Sequence, residues 1–358
     1  VGVKQHLAPM LVALALLLAA PLTAQQRDPF LAAQAAAMLP ATAGDLAGAA
    51  AWDRYTIAAA LSPRDLSVRG SVTVDVTNRT AASLDRLYFR LYPNHPDFGG
   101  RLDVTGATVD GQGVRSGTEQ RDTLLWLALP RALPPGATAR AVLSFTTRTP
   151  RDASGDSFGA HNFEAGLWSI ANAYPVLARQ LEGGWDRRPI ESRGDFAVTD
   201  VALYDATIDA PVGWELITTG VRVGAEPLRE GVRRERFVSG PQREFYLGAS
   251  FGLDQASAVV DGTRIVSHYQ RDDPQAGQRA LRVGEQSLRA FNARFGAYPL
   301  AELEIVQGAM TQFLGMEYPG VVRIEQELYE NNGRGLETTI APETAHQWCY
   351  SQVGSDAQ

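Results

Sequence analysis

The sequence predicts an α+β chain in two parts: an antiparallel β-sandwich first, then a mixed region of helix and strand. Between Tyr55 and about Leu253, apolar residues alternate with polar or small ones in short runs broken by turn residues, the period-2 signature of strands. From near Asp273 the pattern changes. Leu281, Leu288, Phe291 and Phe295 follow at spacings of seven, three and four, which is helical. The length of 358 residues, 45% of them hydrophobic, is enough for two packed units.

Taken in order, the chain opens with Lys4, an apolar run from Pro9 to Leu22, and the small-residue end Leu22-Thr23-Ala24. Residues 1–24 therefore read as a signal peptide, and the expected location is secreted or periplasmic. The run is short for a bilayer span, so an uncleaved signal anchor is the alternative and no other membrane contact is expected. Residues 25–52 are alanine-rich and read as a loose helix or a mobile lead-in without chemistry. Residues 53–258 form the expected β domain. Val68, Val72, Val74 and Val76 alternate, as do Leu87, Phe89 and Leu91. Further strands are expected at Thr123–Leu129, Ala139–Phe145, Ala202–Ile208 and Trp214–Thr219, with turns at Asp110-Gly111 and Pro134-Pro135-Gly136. Residues 273–358 form the second unit: a helix over Ala276–Phe295 stopped by Gly296, strands at Leu303–Val306 and Val321–Ile324, and a helix over Leu336–Val353.

Composition excludes several functions. The net charge is −7 and Lys4 is the one lysine, so no clustered basic surface suits a nucleic acid, and a chain cleaved after Ala24 has no lysine for a Schiff base. The single cysteine, Cys349, precludes an intrachain disulfide and reads as a buried free thiol.

The chemistry concentrates in Pro342-Glu343-Thr344-Ala345-His346-Gln347-Trp348. Many zinc peptidases carry His-Glu-x-x-His on a helix, where two histidines one turn apart reach one metal and the glutamate between them polarises its water. Glu343 and His346 stand at that spacing. By itself Glu-x-x-His is a common solvated pair on a helix. Upstream lies Gly315-Met316-Glu317-Tyr318-Pro319-Gly320, where the plain reading of Glu317 is a surface carboxylate in a turn.

Together these segments resemble the aminopeptidase N family of zinc metallopeptidases. Gly315 to Tyr318 is similar to its Gly-Ala-Met-Glu-Asn exopeptidase motif, and His346-Gln347-Trp348 through Val353-Gly354-Ser355-Asp356 to the stretch after its metal motif. Leu91-Tyr92-Pro93-Asn94, Asn172 to Leu177, Gly183-Gly184-Trp185 and Phe295 to Pro299 resemble further family segments in the same order. The resemblance implies a saddle-like β domain followed by the truncated start of a thermolysin-like catalytic domain. It also implies peptide or protein substrates and one zinc ion per site, with His346 as a metal ligand and Glu343 as the catalytic base. Glu317 would take the substrate's α-amino group, Gly315 and Met316 would line the peptide strand, and Tyr318 would shape the first pocket.

Three departures qualify this. Pro342 stands where the family has its first histidine; in a helix interior it costs roughly 3 kcal/mol, a cost that falls if the helix starts near there, with Thr338 or Thr339 as the cap and Pro342 in its first turn. The family's third ligand, a glutamate about nineteen residues after the second histidine, and its tyrosine for the tetrahedral intermediate are expected beyond Gln358. His95, His161 and His268 lie in the β-rich part and are not expected to replace them. The expected function is thus that of an aminopeptidase-type zinc metallopeptidase, inactive as this chain stands. The alternative is a secreted, non-catalytic peptide-binding pseudo-peptidase.

Overall fold

A computed structural model describes residues 28–151, 159–191, 197–310, 312–330 and 334–354. The expected signal peptide lies outside the described residues, as do Ser355 and Asp356 of the family-like stretch. Among the described residues no helix is long and apolar enough to cross a membrane.

The alternating valines are strand residues. Val68, Val72, Val74 and Val76 lie on Ser67–Thr77 and are wholly buried. This strand sits inside an eight-stranded sheet, in the order Val221–Arg229, Val232–Gln242, Ala202–Pro211, Asp53–Ser62, Ser67–Thr77, Thr138–Arg148, Arg101–Val109 and Gln112–Gly113. The sheet is not wholly antiparallel, because Asp53–Ser62 runs parallel to Ala202–Pro211. Those two strands are far apart in sequence, so no local turn dictates their direction. Two four-stranded sheets share a continuous core with it through Leu87, Phe89, Leu127, Trp168 and Leu247.

Residues 28–51 are neither loose nor idle. Asp28 caps the short helix Pro29–Gln34 by accepting from Phe30 N at 3.0 Å. Gln34 is fully buried, donating to Tyr204 O and accepting from Gly240 N, each at 3.0 Å. Two hydrogen bonds to backbone satisfy a side chain that would otherwise be costly to bury. Met38 then bridges to Leu300, tying this segment to the second part of the chain.

The later part of the chain builds a five-stranded sheet, in the order Leu253–Val260, Thr263–Gln270, Glu302–Gly308, Val321–Glu325 and Gly315–Tyr318. Residue 258 therefore falls inside a strand that pairs with this sheet. The helix Pro274–Phe295 begins at Asp273, whose side chain accepts from Ala276 N at 2.9 Å. It covers one face of the sheet closely: a Cβ on Gly284 would stand 2.3 Å from Ile305 Cδ1. The opposite face meets the β region, where Val306, Tyr318 and Val321 join the same core as Val72 and Leu127.

Candidate active site

After the short helix Glu327–Glu330, a helix runs Arg334–Ala345, so the expected span of Leu336–Val353 is corrected at both ends. Pro342 is an interior residue rather than a first-turn one, and it cannot donate to the carbonyl four residues back. Burial of Leu336, Ile340 and Thr344 at spacings of four holds the helix in place. After Ala345 the ladder changes pitch. Gln347 N donates to Thr344 O, but Ser351 N and Val353 N reach back five residues, to His346 O at 3.0 Å and Trp348 O at 2.9 Å. Tertiary contacts impose this. Trp348 donates its indole N–H to Gly296 O at 3.0 Å and packs 5.6 Å from the Tyr298 ring. Cys349, expected to be buried, is exposed on this turn.

His346 N still donates to Pro342 O at 3.1 Å, so Glu343 and His346 project from neighbouring positions on one helical face. They meet Gly315–Tyr318, the edge strand of the sheet, which pairs antiparallel with Val321–Glu325. Strand alternation sends Gly315 and Glu317 to one side and Met316 and Tyr318 to the other. On the helix side Gly315 gives Glu343 its room: a Cβ at residue 315 would stand 2.3 Å from Glu343 Oε1 and force that side chain to shift. His346 Nδ1 lies 3.9 Å from Glu317 Oε1. Ligand atoms of Glu317, Glu343 and His346 all fall within 4.8 Å of one another. Tyr318 is buried, its ring 4.5 Å from that of Tyr246 in the β region, on the side away from Glu317.

The electrostatics follow from this crowding. Burial, and then the adjoining Glu317 carboxylate, push the Glu343 carboxyl up to about 8. Glu343 therefore keeps its proton at neutral pH. The negative charge of Glu317 also reaches a third carboxyl, Glu244, which the sequence did not single out. Glu244 is 2% exposed, and its carboxylate accepts from Asn172 Nδ2 and from the Tyr350 hydroxyl, each at 2.8 Å. Burial raises it to about 7, with a smaller push from Glu317, against the lowering by those hydrogen bonds and by the Arg243 guanidinium. No periodicity or short motif marks Glu244; only the approach of the β region to the turn after the helix does.

The zinc implied by the resemblance can be tested against these residues. A catalytic zinc takes three protein ligands and keeps one position open. Position 342 offers no donor, and His346 is the single imidazole in the one group of metal-capable side chains among the described residues. His161 is buried in the β region with its imidazole pushed down to about 4 by burial, and His268 is bonded to Glu304 at 2.6 Å. The residues present do not fit a zinc held by two imidazoles and a carboxylate.

No protein-family model matches the sequence, and no curated protein matches it. Solved structures do. The M1 zinc metallopeptidase from Deinococcus radiodurans aligns at TM-score 0.61 and 22% identity over 84% of this chain and 64% of that one. The chain has the fold of an M1 zinc metallopeptidase. A two-domain M1 zinc metallopeptidase mutant bound to L-arginine aligns at TM-score 0.60 and 21% identity, over 84% of this chain and 65% of the other. A mutant of the Deinococcus radiodurans metallopeptidase bound to a Tyr-Ser-Ala substrate gives 0.57 and 20% over the same shares. This M1-fold chain thus spans about 64% of the length of the first of these structures.

Proposed function

We propose that this chain recognises peptides by their free amino terminus, at the site where an aminopeptidase-type M1 metallopeptidase would cleave them. The observation that carries this is the meeting of Glu317 on an edge strand with Glu343 on a helix and His346 just past its end, with Gly315 packed against the Glu343 side chain. An edge strand suits pairing with an extended peptide backbone. A carboxylate beside it suits an α-ammonium group, which brings three donors and a positive charge. That a neighbour of the same fold is described with a Tyr-Ser-Ala substrate supports short peptides as the ligand class. The leader-like residues 1–24 support a secreted or periplasmic site of action.

Zinc, where bound in such a protein, supplies Lewis-acid activation of a carbonyl and a water. In this chain Glu317 would bind and orient the amine, while Glu343 would hold a proton at its carboxyl. Pro342 favours a second reading within the same frame, a peptide binder that does not cut. Calorimetric titration with Tyr-Ser-Ala and its N-acetyl form tests the amine reading. Free-amine binding that is lost in Glu317→Gln is expected; equal binding of both peptides refutes it. Release of coumarin from aminoacyl-coumarins, abolished by a chelator, would favour cleavage over binding alone.

A further inference from the structure

Gln347 follows His346 in the chain and is wholly buried. Its side-chain oxygen accepts from Gly320 N at 2.8 Å, and its side-chain nitrogen donates to Tyr318 O at 3.1 Å. Both partners are backbone groups of the turn Tyr318-Pro319-Gly320, which closes the edge strand carrying Glu317. From the opposite side Thr219 of the β region donates its hydroxyl to Pro319 O at 2.7 Å and accepts from Tyr246 N at 3.0 Å. Every residue of the turn is therefore gripped by a buried side chain, one on the helix's continuation and one on the β region.

We propose that Gln347 is a positioning residue that sets where the Glu317 carboxylate sits relative to Glu343 and His346, and thereby sets the preference for a free amino terminus. The inference rests on the amino-terminal reading above. The chemistry of the side chain is specific. The turn offers one N–H and one C=O, and a primary amide answers both with one planar head. A carboxylate there would accept from Gly320 N but would turn a second oxygen toward the Tyr318 carbonyl. Leucine would fill the space and answer neither group, leaving a buried donor and acceptor unpaired. Glu317 is covalently joined to Tyr318, so slack in the turn is transmitted directly to its carboxylate. An ammonium contact depends on separation and direction in a way that general groove binding does not.

The test compares affinities for Tyr-Ser-Ala and N-acetyl-Tyr-Ser-Ala in the wild type, Gln347→Glu and Thr219→Val. The second variant loosens the same turn from the other side without adding charge. Both variants are expected to lower the free-over-acetylated ratio roughly threefold to tenfold, the size of one lost hydrogen bond, with binding of the acetylated peptide retained. Amide exchange at Gly320 is expected to speed up in Gln347→Glu. Should the two peptides weaken together, or the ratio persist in both variants while the wild type discriminates, Gln347 has only a structural role and the inference is overturned. A wild type that does not discriminate overturns the amine reading first, and this inference with it.

Discussion

Replacing Glu244 by glutamine should make the protein more stable at pH 8 than at pH 5, relative to wild type. Glu244 has an ordinary value of 4.5 and is raised to about 7 in the fold, chiefly by burial. The folded state therefore holds a proton that the unfolded chain has already released between these values. Stability contributed by the protonated carboxyl is present below pH 4.5 and is lost as pH rises to about 7, after which the loss is constant. The interval from 4.5 to about 7, at 1.36 kcal/mol per pH unit, amounts to about 3 kcal/mol. Glutamine carries no charge and so avoids this loss. Its amide also finds a partner, because Asn172 Oδ1 is buried without one in the present arrangement. If the Asn172 amide flips, that oxygen accepts from the new side chain, while the glutamine oxygen still accepts from the Tyr350 hydroxyl. Urea denaturation of both proteins at pH 5 and pH 8 measures the difference. A gain of up to about 3 kcal/mol at pH 8 that shrinks toward pH 5 is expected. A difference that is the same at both pH values, or larger at pH 5, would refute a raised Glu244.

Other outcomes follow from the same geometry. Glu317→Gln should lower the titration point of Glu343 from about 8 while leaving it above 4.5, because burial is the larger cause; carbon-13 NMR of labelled glutamate reads this directly. Pro342→His should raise thermal stability, by at most roughly 3 kcal/mol for removal of an interior helix proline. The same variant should bind zinc more tightly than wild type in equilibrium dialysis, and unchanged zinc binding would count against position 342 as the missing donor. Gly315→Ala drives a methyl group to 2.3 Å from Glu343 Oε1, so it should cost about 1–3 kcal/mol in stability and weaken peptide binding, both measurable in one purified variant.

The β texture was legible because burial on one face writes itself as alternation: Val72, Val74 and Val76 are all fully buried at every second position. The helix Pro274–Phe295 was legible within two residues of its expected start, since its apolar stripe and Gly296 are local signals. The extent of the helix Arg334–Ala345 was not. Nothing local stops it at Ala345; the stop comes from Trp348 packing against Tyr298 and Gly296, and from Tyr350 reaching Glu244. The alanine-rich segment was misread for a related reason. Its composition looks idle, yet Gln34 is engaged by residues about 170 and 206 positions away.

Residue types were readable along the chain: a Glu-x-x-His pair behind a proline, and a Gly-Met-Glu-Tyr run upstream. Side-chain chemistry and spacing are local properties, and they travel with the chain. It is the folded packing that raises the Glu343 carboxyl, sets Gly315 against the Glu343 side chain, buries Glu244 within reach of the Glu317 charge and ties Gln347 to the turn after the edge strand. Those facts depend on burial and on separations of a few ångströms between segments distant in the sequence, quantities that the order of residues does not contain.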